Sequence, residues 1–199
     1  PSCWQLQGYG YPNYTTVAYP FPCDLPYVPD ENPCGVYERA FNVEDNSKKI
    51  YFVFEGVSSL AKLFINGNYV GFSQGTQLQA EYDITDYVNV GVNTVRVEVL
   101  KWCCGSYLED QDAFRYNGIF RDVLLSISEP SDFWDLDAVT KKNAGKYSLK
   151  LSAKTLSDTD VTFILEGNGI TRRETVRTNE KSAAVTFEDL DVTEWSAED

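Results

Sequence analysis

The sequence predicts an all-β chain: an antiparallel jelly roll followed by an immunoglobulin-like β-sandwich that stops before it is complete. Three observations carry this. Hydrophobicity has a period of two from residue 49 onward, as in "TVRVEVL", where Val95, Val97 and Val99 share one face and Arg96 and Glu98 the other. The alternating runs are short and separated by turn residues, the pattern of sandwiches and barrels. At 43% hydrophobic and 14% aromatic residues, the chain can fill a packed core rather than stay disordered.

Taken in order, residues 8–41 hold six prolines. Proline fixes φ and removes a donor, so the stretch reads as an extended, aromatic-rich loop over a sheet rather than a helix or central strand. Its eight Tyr and Phe side chains either stack on sugar rings or pin the loop to the core. "KIYFVF" (49–54) is a strand, and "LAKLFINGNYVGFSQG" a hairpin turning at Asn66-Gly67, where positive φ is needed. "EYDITDYV" (81–88) makes a turn or short helix with Asp83 or Thr85 as cap. "GVNTVRVEVL" and "GIFRDVLLSIS" (118–128) are further strands.

"SEPSDF" (128–133) breaks the pattern, which sets domains at 1–130 and 131–199. Beyond it, Tyr147, Leu149 and Leu151 alternate in one run and Val161, Phe163 and Leu165 in another. About five strands are expected there, against the seven or more of a whole immunoglobulin-like domain. With no methionine anywhere in the chain, an initiator included, a piece of something longer is expected.

The net charge of −13 argues against nucleic acid and anionic membrane as partners, both of which need a Lys/Arg surplus. No stretch approaches the roughly 20 apolar residues of a membrane span, and no signal-type start is present. The five cysteines (Cys3, Cys23, Cys34, Cys103, Cys104) are odd in number and lack C-x-x-C spacing, so free thiols and a cytoplasmic location are expected. Histidine is absent, which removes Ser-His-Asp and Cys-His catalysis and the usual zinc sites.

Chemistry would therefore fall to carboxylates, and "SYLEDQDAFRYNGIFRDV" (106–123) concentrates them. Glu109, Asp110 and Asp112 lie among Arg115, Arg121 and four aromatic residues. As a glycosidase pair, Glu109 and Asp112 could meet a separation of roughly 5–9.5 Å. Such pairs, however, come from separate rigid elements that drive their pKa values apart. As a cation site, the loop offers a few oxygens without the ladder of an EF-hand. In a structural role, Glu109, Asp110 and Asp122 would pair with Arg115 and Arg121 and hold the loop's shape.

The same stretch resembles the signature of the microbial β-galactosidases of glycoside hydrolase family 2. The likeness extends to "PSCWQLQGYGYPNYTTVAYPFPCDLPYVPDENPCGVYERAF", "FEGVSSLAKLFINGNYVGFSQGTQLQAEYDIT" and, more diffusely, "TEWSAED". It implies a galactose-binding-like jelly roll whose acidic loop enters the mouth of a separate (β/α)8 barrel bearing both catalytic glutamates. No catalytic residue is then expected in this chain.

By the same resemblance Asp112 touches a galactose hydroxyl and ligates sodium, with the other sodium ligands on the barrel. Magnesium, if used, would bind outside this chain. Where the family carries an Asn contact after the "GV" of its corresponding segment, this chain has Ser58, a shorter side chain with one donor. Ser59 follows as a weaker substrate-binding candidate. The family's tetramers suggest a homo-oligomer at full length. Two other classes compete: a free-standing carbohydrate-binding module, and a structural β-sandwich pair in which the acidic loop is inert.

Overall fold

The computed structural model describes residues 2–15, 20–109 and 112–197. The chain divides into two compact units, Pro1–Ile127 and Ser128–Asp199. All of its long regular elements are strands, and the described helical segments are three short 3-10 turns.

Among the described residues, eleven strands belong to the first unit. They are β1 (Asn13–Thr15), β2 (Cys34–Val43), β3 (Lys49–Phe54), β4 (Val57–Ser58), β5 (Leu60–Ile65) and β6 (Asn68–Gln74). Then follow β7 (Ala80–Asp83), β8 (Gly91–Leu100), β9 (Ala113–Arg115), β10 (Gly118–Ile119) and β11 (Val123–Ser128). One sheet runs β2-β8-β5-β6 and another β11-β3-β7, while β1-β9 and β4-β10 form two-stranded ribbons. Strands β2 and β8 pair antiparallel: Cys34 faces Leu100 at one end and Val43 faces Gly91 at the other.

Alternation fills the core. Ile50, Phe52 and Phe54 of β3, Ala61, Leu63 and Ile65 of β5, and Val95, Val97 and Val99 of β8 are all buried in one cluster. Burying each of the larger of these side chains contributes about 1.5–3 kcal/mol, which selects a single register for both sheets. The β5-β6 hairpin turns at Asn66 (φ 50°) and Gly67 (φ 80°), the two positive angles of a turn that suits strand twist. Asn66 Nδ2 also donates to the carboxamide oxygen of buried Asn93 at 2.7 Å, tying the hairpin tip to the loop before β8. Asp83 closes β7 and accepts from the Thr85 amide (3.0 Å) and hydroxyl (2.5 Å). The N-cap of the 3-10 turn Thr85–Tyr87 is nevertheless Ile84, with no side-chain cap bond, so neither Asp83 nor Thr85 is the cap that the sequence suggested.

Two sequence expectations change here. Residues 34–41 are not loop: they begin β2, a ten-residue strand at the edge of the four-stranded sheet. The prolines stop at Pro33, and an edge position tolerates the chain's entry from a proline-rich loop. The expected single strand over 118–128 is two, β10 and β11, because the Arg121 guanidinium and the Phe120 and Arg121 amides all turn towards residues 55–56 and 77.

The second unit contains β12 (Phe133–Asn143), β13 (Lys146–Thr155), β14 (Asp160–Gly167), β15 (Ile170–Arg177) and β16 (Ser182–Leu190). Sheets β12-β13-β16 and β14-β15 enclose Ala153, Val161, Phe163, Ala183, Phe187 and Leu190, with Tyr147, Leu149 and Leu151 packed against them. The turns again use residues suited to positive φ, Asn168-Gly169 between β14 and β15 among them.

Candidate functional site

The acidic stretch leaves β8, makes a 3-10 turn over Cys104–Leu108, and returns as β9. The turn is anchored by Tyr107, which is buried and whose hydroxyl lies 2.5 Å from the carbonyl of Tyr27. Phe21 packs edge-on to Trp102 and Tyr107, with centroids 5.0 and 5.3 Å away, so this ring of the proline-rich loop pins the loop to the unit. Tyr9, Tyr11, Tyr14 and Tyr27 of the same loop are exposed.

Glu109 follows the turn and is held by Thr76, whose amide and hydroxyl donate to its two oxygens at 2.6 Å each. The expected pairing of the acids with the arginines does not occur: among the described residues Arg115 and Arg121 pair with none of Glu109, Asp112 and Asp122. Arg115 instead donates to the Ser106 carbonyl at 2.7 Å and lies over the Trp102 ring, 5.9 Å from its centroid. Arg121 donates to the Gln77 side chain at 3.0 Å and to the Glu55 carbonyl at 3.3 Å. Turns on both sides turn carbonyl oxygens outward, and a guanidinium satisfies several of them with its fork of donors. Asp110 lies outside the described residues.

Strands β1 and β9 form the ribbon that carries Asp112. Asn13 opposes Arg115, Tyr14 opposes Phe114 and Thr15 opposes Ala113. Tyr14 and Phe114 rings lie 5.2 Å apart, and the Tyr14 hydroxyl donates to Asp112 Oδ1 at 2.6 Å. That bond to the carboxylate, and then slight desolvation, raises the Tyr14 phenol above its ordinary value. On the next rung, Asn13 Oδ1 and Arg115 Nε are buried without a hydrogen-bond partner, an acceptor and a donor on facing residues.

A cleft of about 230 Å³ opens beside this ribbon, lined among others by Thr15, Ser58, Thr76, Glu109, Phe114 and Arg115. Ser58 is buried, on β4, opposite Gly118 of β10. Its peptide bond to Ser59 is cis, and the two hydroxyls lie 3.2 Å apart. Ser59 is buried as well and donates to the Lys101 carbonyl at 2.9 Å, so its hydroxyl proton already has a structural acceptor. Of the three site residues expected from sequence, then, Ser58 lines the cleft, Ser59 is turned to the backbone beneath it, and Asp112 is exposed one residue before the lining residue Ala113. Sequence reading overlooked Thr76, Tyr14 and Thr15, whose polar atoms meet the loop across long sequence separations.

A larger cleft of about 910 Å³ is lined by Trp4, Tyr9, Tyr11 and Tyr37 among others. The Gln5 carboxamide on its wall is taken up by Asn117, accepting from the Asn117 amide and donating to its side-chain oxygen, both at 3.0 Å. The smaller cleft holds Ser58 and adjoins the Asp112 ribbon, and is the better candidate. For a cation the chain's own residues fall short: among the described residues no three Cys, Asp or Glu groups gather in metal-binding arrangement, whereas hard cations take six or more oxygens.

This jelly roll is that of the sugar-binding domains of glycoside hydrolases. Residues 1–130 match the family model of the glycosyl hydrolases family 2 sugar binding domain, and the chain belongs to that family. It is 42% identical over 178 residues to a beta-galactosidase of Enterobacter cloacae, covering 85% of this chain and 17% of that relative. It is 51% identical over 128 residues to a beta-galactosidase of Yersinia pestis bv. Antiqua (strain Angola), covering 63% of this chain and 12% of the relative. The chain thus spans less than a fifth of either relative.

Among solved structures, a Bacteroides uniformis beta-glucuronidase 2, covalently bound to cyclophellitol-6-carboxylate aziridine, superposes with a TM-score of 0.61. It is 20% identical, covering 82% of this chain and 22% of that one. A glycosyl hydrolase family 2 member from Bacteroides cellulosilyticus gives 0.58 at 24% identity, covering 82% and 23%. At these identities the two structures speak for the shared fold. No described helix is long and apolar enough to cross a membrane.

Proposed function

We propose that this chain is the sugar-binding part of a longer β-galactosidase, and that its acidic loop completes a galactose subsite whose catalytic groups lie elsewhere in the parent. The observation that carries this is the state of Asp112. Its carboxylate is exposed, has no cationic partner among the described residues, and is held only by Tyr14. A carboxylate kept free of its neighbouring arginines suits a charge-assisted bond to a sugar hydroxyl.

The cleft supports the same reading. A sugar hydroxyl both donates and accepts, which suits the Thr15, Ser58 and Thr76 hydroxyls among the residues that line it. The parent would cleave a terminal β-D-galactoside with retention, through a covalent glycosyl-enzyme between two carboxylates. The described acids of the loop, Glu109 held by Thr76 and Asp112 by Tyr14, come from one segment rather than from two separate rigid elements. The chain alone is expected to be inactive, and measurable turnover of a chromogenic galactoside by the pure chain would contradict that. Asp112 supplies at most a share of a sodium site, the remaining oxygens coming from the parent.

The test is Asp112→Asn in the longer enzyme. Losing a bond to a charged group weakens galactoside binding by about 1.5–3 kcal/mol, roughly a ten- to hundred-fold rise in KM, and blunts the sodium response. An unchanged KM would assign the loop a structural role.

A further inference from the structure

We infer that Tyr14 is a positioning residue: its hydroxyl fixes one oxygen of Asp112 so that the other is presented to the galactoside. The inference rests on the proposed role of Asp112 and concerns a residue from the opposite end of the domain's sequence. Tyr14 and Asp112 are 98 residues apart, and the β1-β9 ribbon brings them together.

The geometry favours positioning over chance contact. Tyr14 is the central residue of β1, and its ring leans on Phe114, its partner across the ribbon, at 5.2 Å. A phenol on a short, rigid side chain, braced by a second ring and by a backbone ladder, has little freedom at its hydroxyl. The bond it donates is short, 2.6 Å, as expected for a neutral donor on a carboxylate. Asp112 Oδ2 has no partner among the described residues.

An exposed aspartate just before a three-residue strand would otherwise rotate about its side-chain bonds. Fixing Oδ1 removes that freedom before the ligand arrives, so less ordering remains to oppose binding. It also accords with the carboxylate's staying clear of Arg115, which lies at the far end of β9 and is turned to the Ser106 carbonyl.

The experiment uses Tyr14→Phe, Asp112→Asn and the double variant in the longer enzyme, with KM and kcat for a nitrophenyl β-galactoside and thermal midpoints. Phe keeps the ring against Phe114, and Tyr14 is exposed, so folding is preserved and the midpoint serves as control. Tyr14→Phe is expected to raise KM roughly three- to ten-fold with the midpoint unchanged. The double variant should be no worse than Asp112→Asn alone, because Tyr14 acts only through Asp112. A KM unchanged in Tyr14→Phe but raised in Asp112→Asn overturns the positioning role and leaves the proposed function standing. Multiplying effects in the double variant also overturn it, since Tyr14 would then act independently. If Asp112→Asn leaves KM unchanged, both the function and the inference fall. In the isolated chain, the carboxyl carbon resonance of Asp112 should move on Tyr14→Phe; an unmoved resonance would show that the bond is not made.

Discussion

Glu109 and Thr76 are joined twice: the Thr76 amide and hydroxyl each donate to a different oxygen of the same carboxylate at 2.6 Å. The contact links the loop after β6 to the end of the 3-10 turn over Cys104–Leu108, so it sets where the acidic loop leaves the domain.

Replacing Glu109 with alanine removes both bonds and is expected to cost about 1–3 kcal/mol in chemical denaturation. Amide exchange at Thr76 should quicken in step, since that N–H loses its acceptor. Thr76→Val, which keeps the amide bond and loses the hydroxyl, should cost less. Equal stability of wild type and Glu109→Ala would mean that the contact does not hold the loop.

Gly118 is held in a second tight place, under Ser58. Its φ is +108°, and a Cβ there would collide with the Tyr37 hydroxyl and approach the Ser2 carbonyl at 3.3 Å. Gly118→Ala combines backbone strain with overpacking, for a loss of about 3 kcal/mol. Denaturation of the chain with this one change checks it, and a loss below about 0.5 kcal/mol would show that the β4-β10 ribbon yields easily.

Asp83 gives a pH dependence with a definite sign. Burial works upward on its carboxyl, but the Thr85 hydroxyl and amide and then Lys49, 3.0 Å away, outweigh it and hold it below the usual carboxylate value. A depressed folded pKa means a contribution that is full above the unfolded value of about 3.9 and lost as pH falls through the lower folded one. Both partners of the ion pair are about two-fifths exposed, so solvent screening keeps its share below about 1 kcal/mol. Asp83→Asn should thus be less stable than wild type at pH 7, with the gap narrowing from pH 5 towards pH 3. A gap that widens on acidification contradicts the assignment.

Much of the fold was legible in the sequence because burial enforces a period of two. Val95, Val97 and Val99 fall on the core face as their alternation requires, and Asn66-Gly67 turns where two positive φ angles are needed. The start of β2 was hidden because "GVYERAF" follows six prolines, and what makes it a strand is its partner β8, more than fifty residues away. The site was less legible for the same reason. Asp112 stood out in its motif, but Tyr14 and Thr76 act through contacts 98 and 33 residues away in sequence. The arginines misled because opposite charges close in sequence suggest pairing, whereas Arg115 and Arg121 met carbonyl oxygens exposed by turns.

The most direct test of a shared, incomplete galactose subsite is an NMR titration of the 199-residue chain with galactose, using glucose as control and sodium present throughout. A subsite completed by the parent's other domains predicts no saturable shift below about 10 mM sugar. Saturable, galactose-selective shifts centred on Asp112, Tyr14 and Ser58 would contradict it and make the chain a self-sufficient binding module.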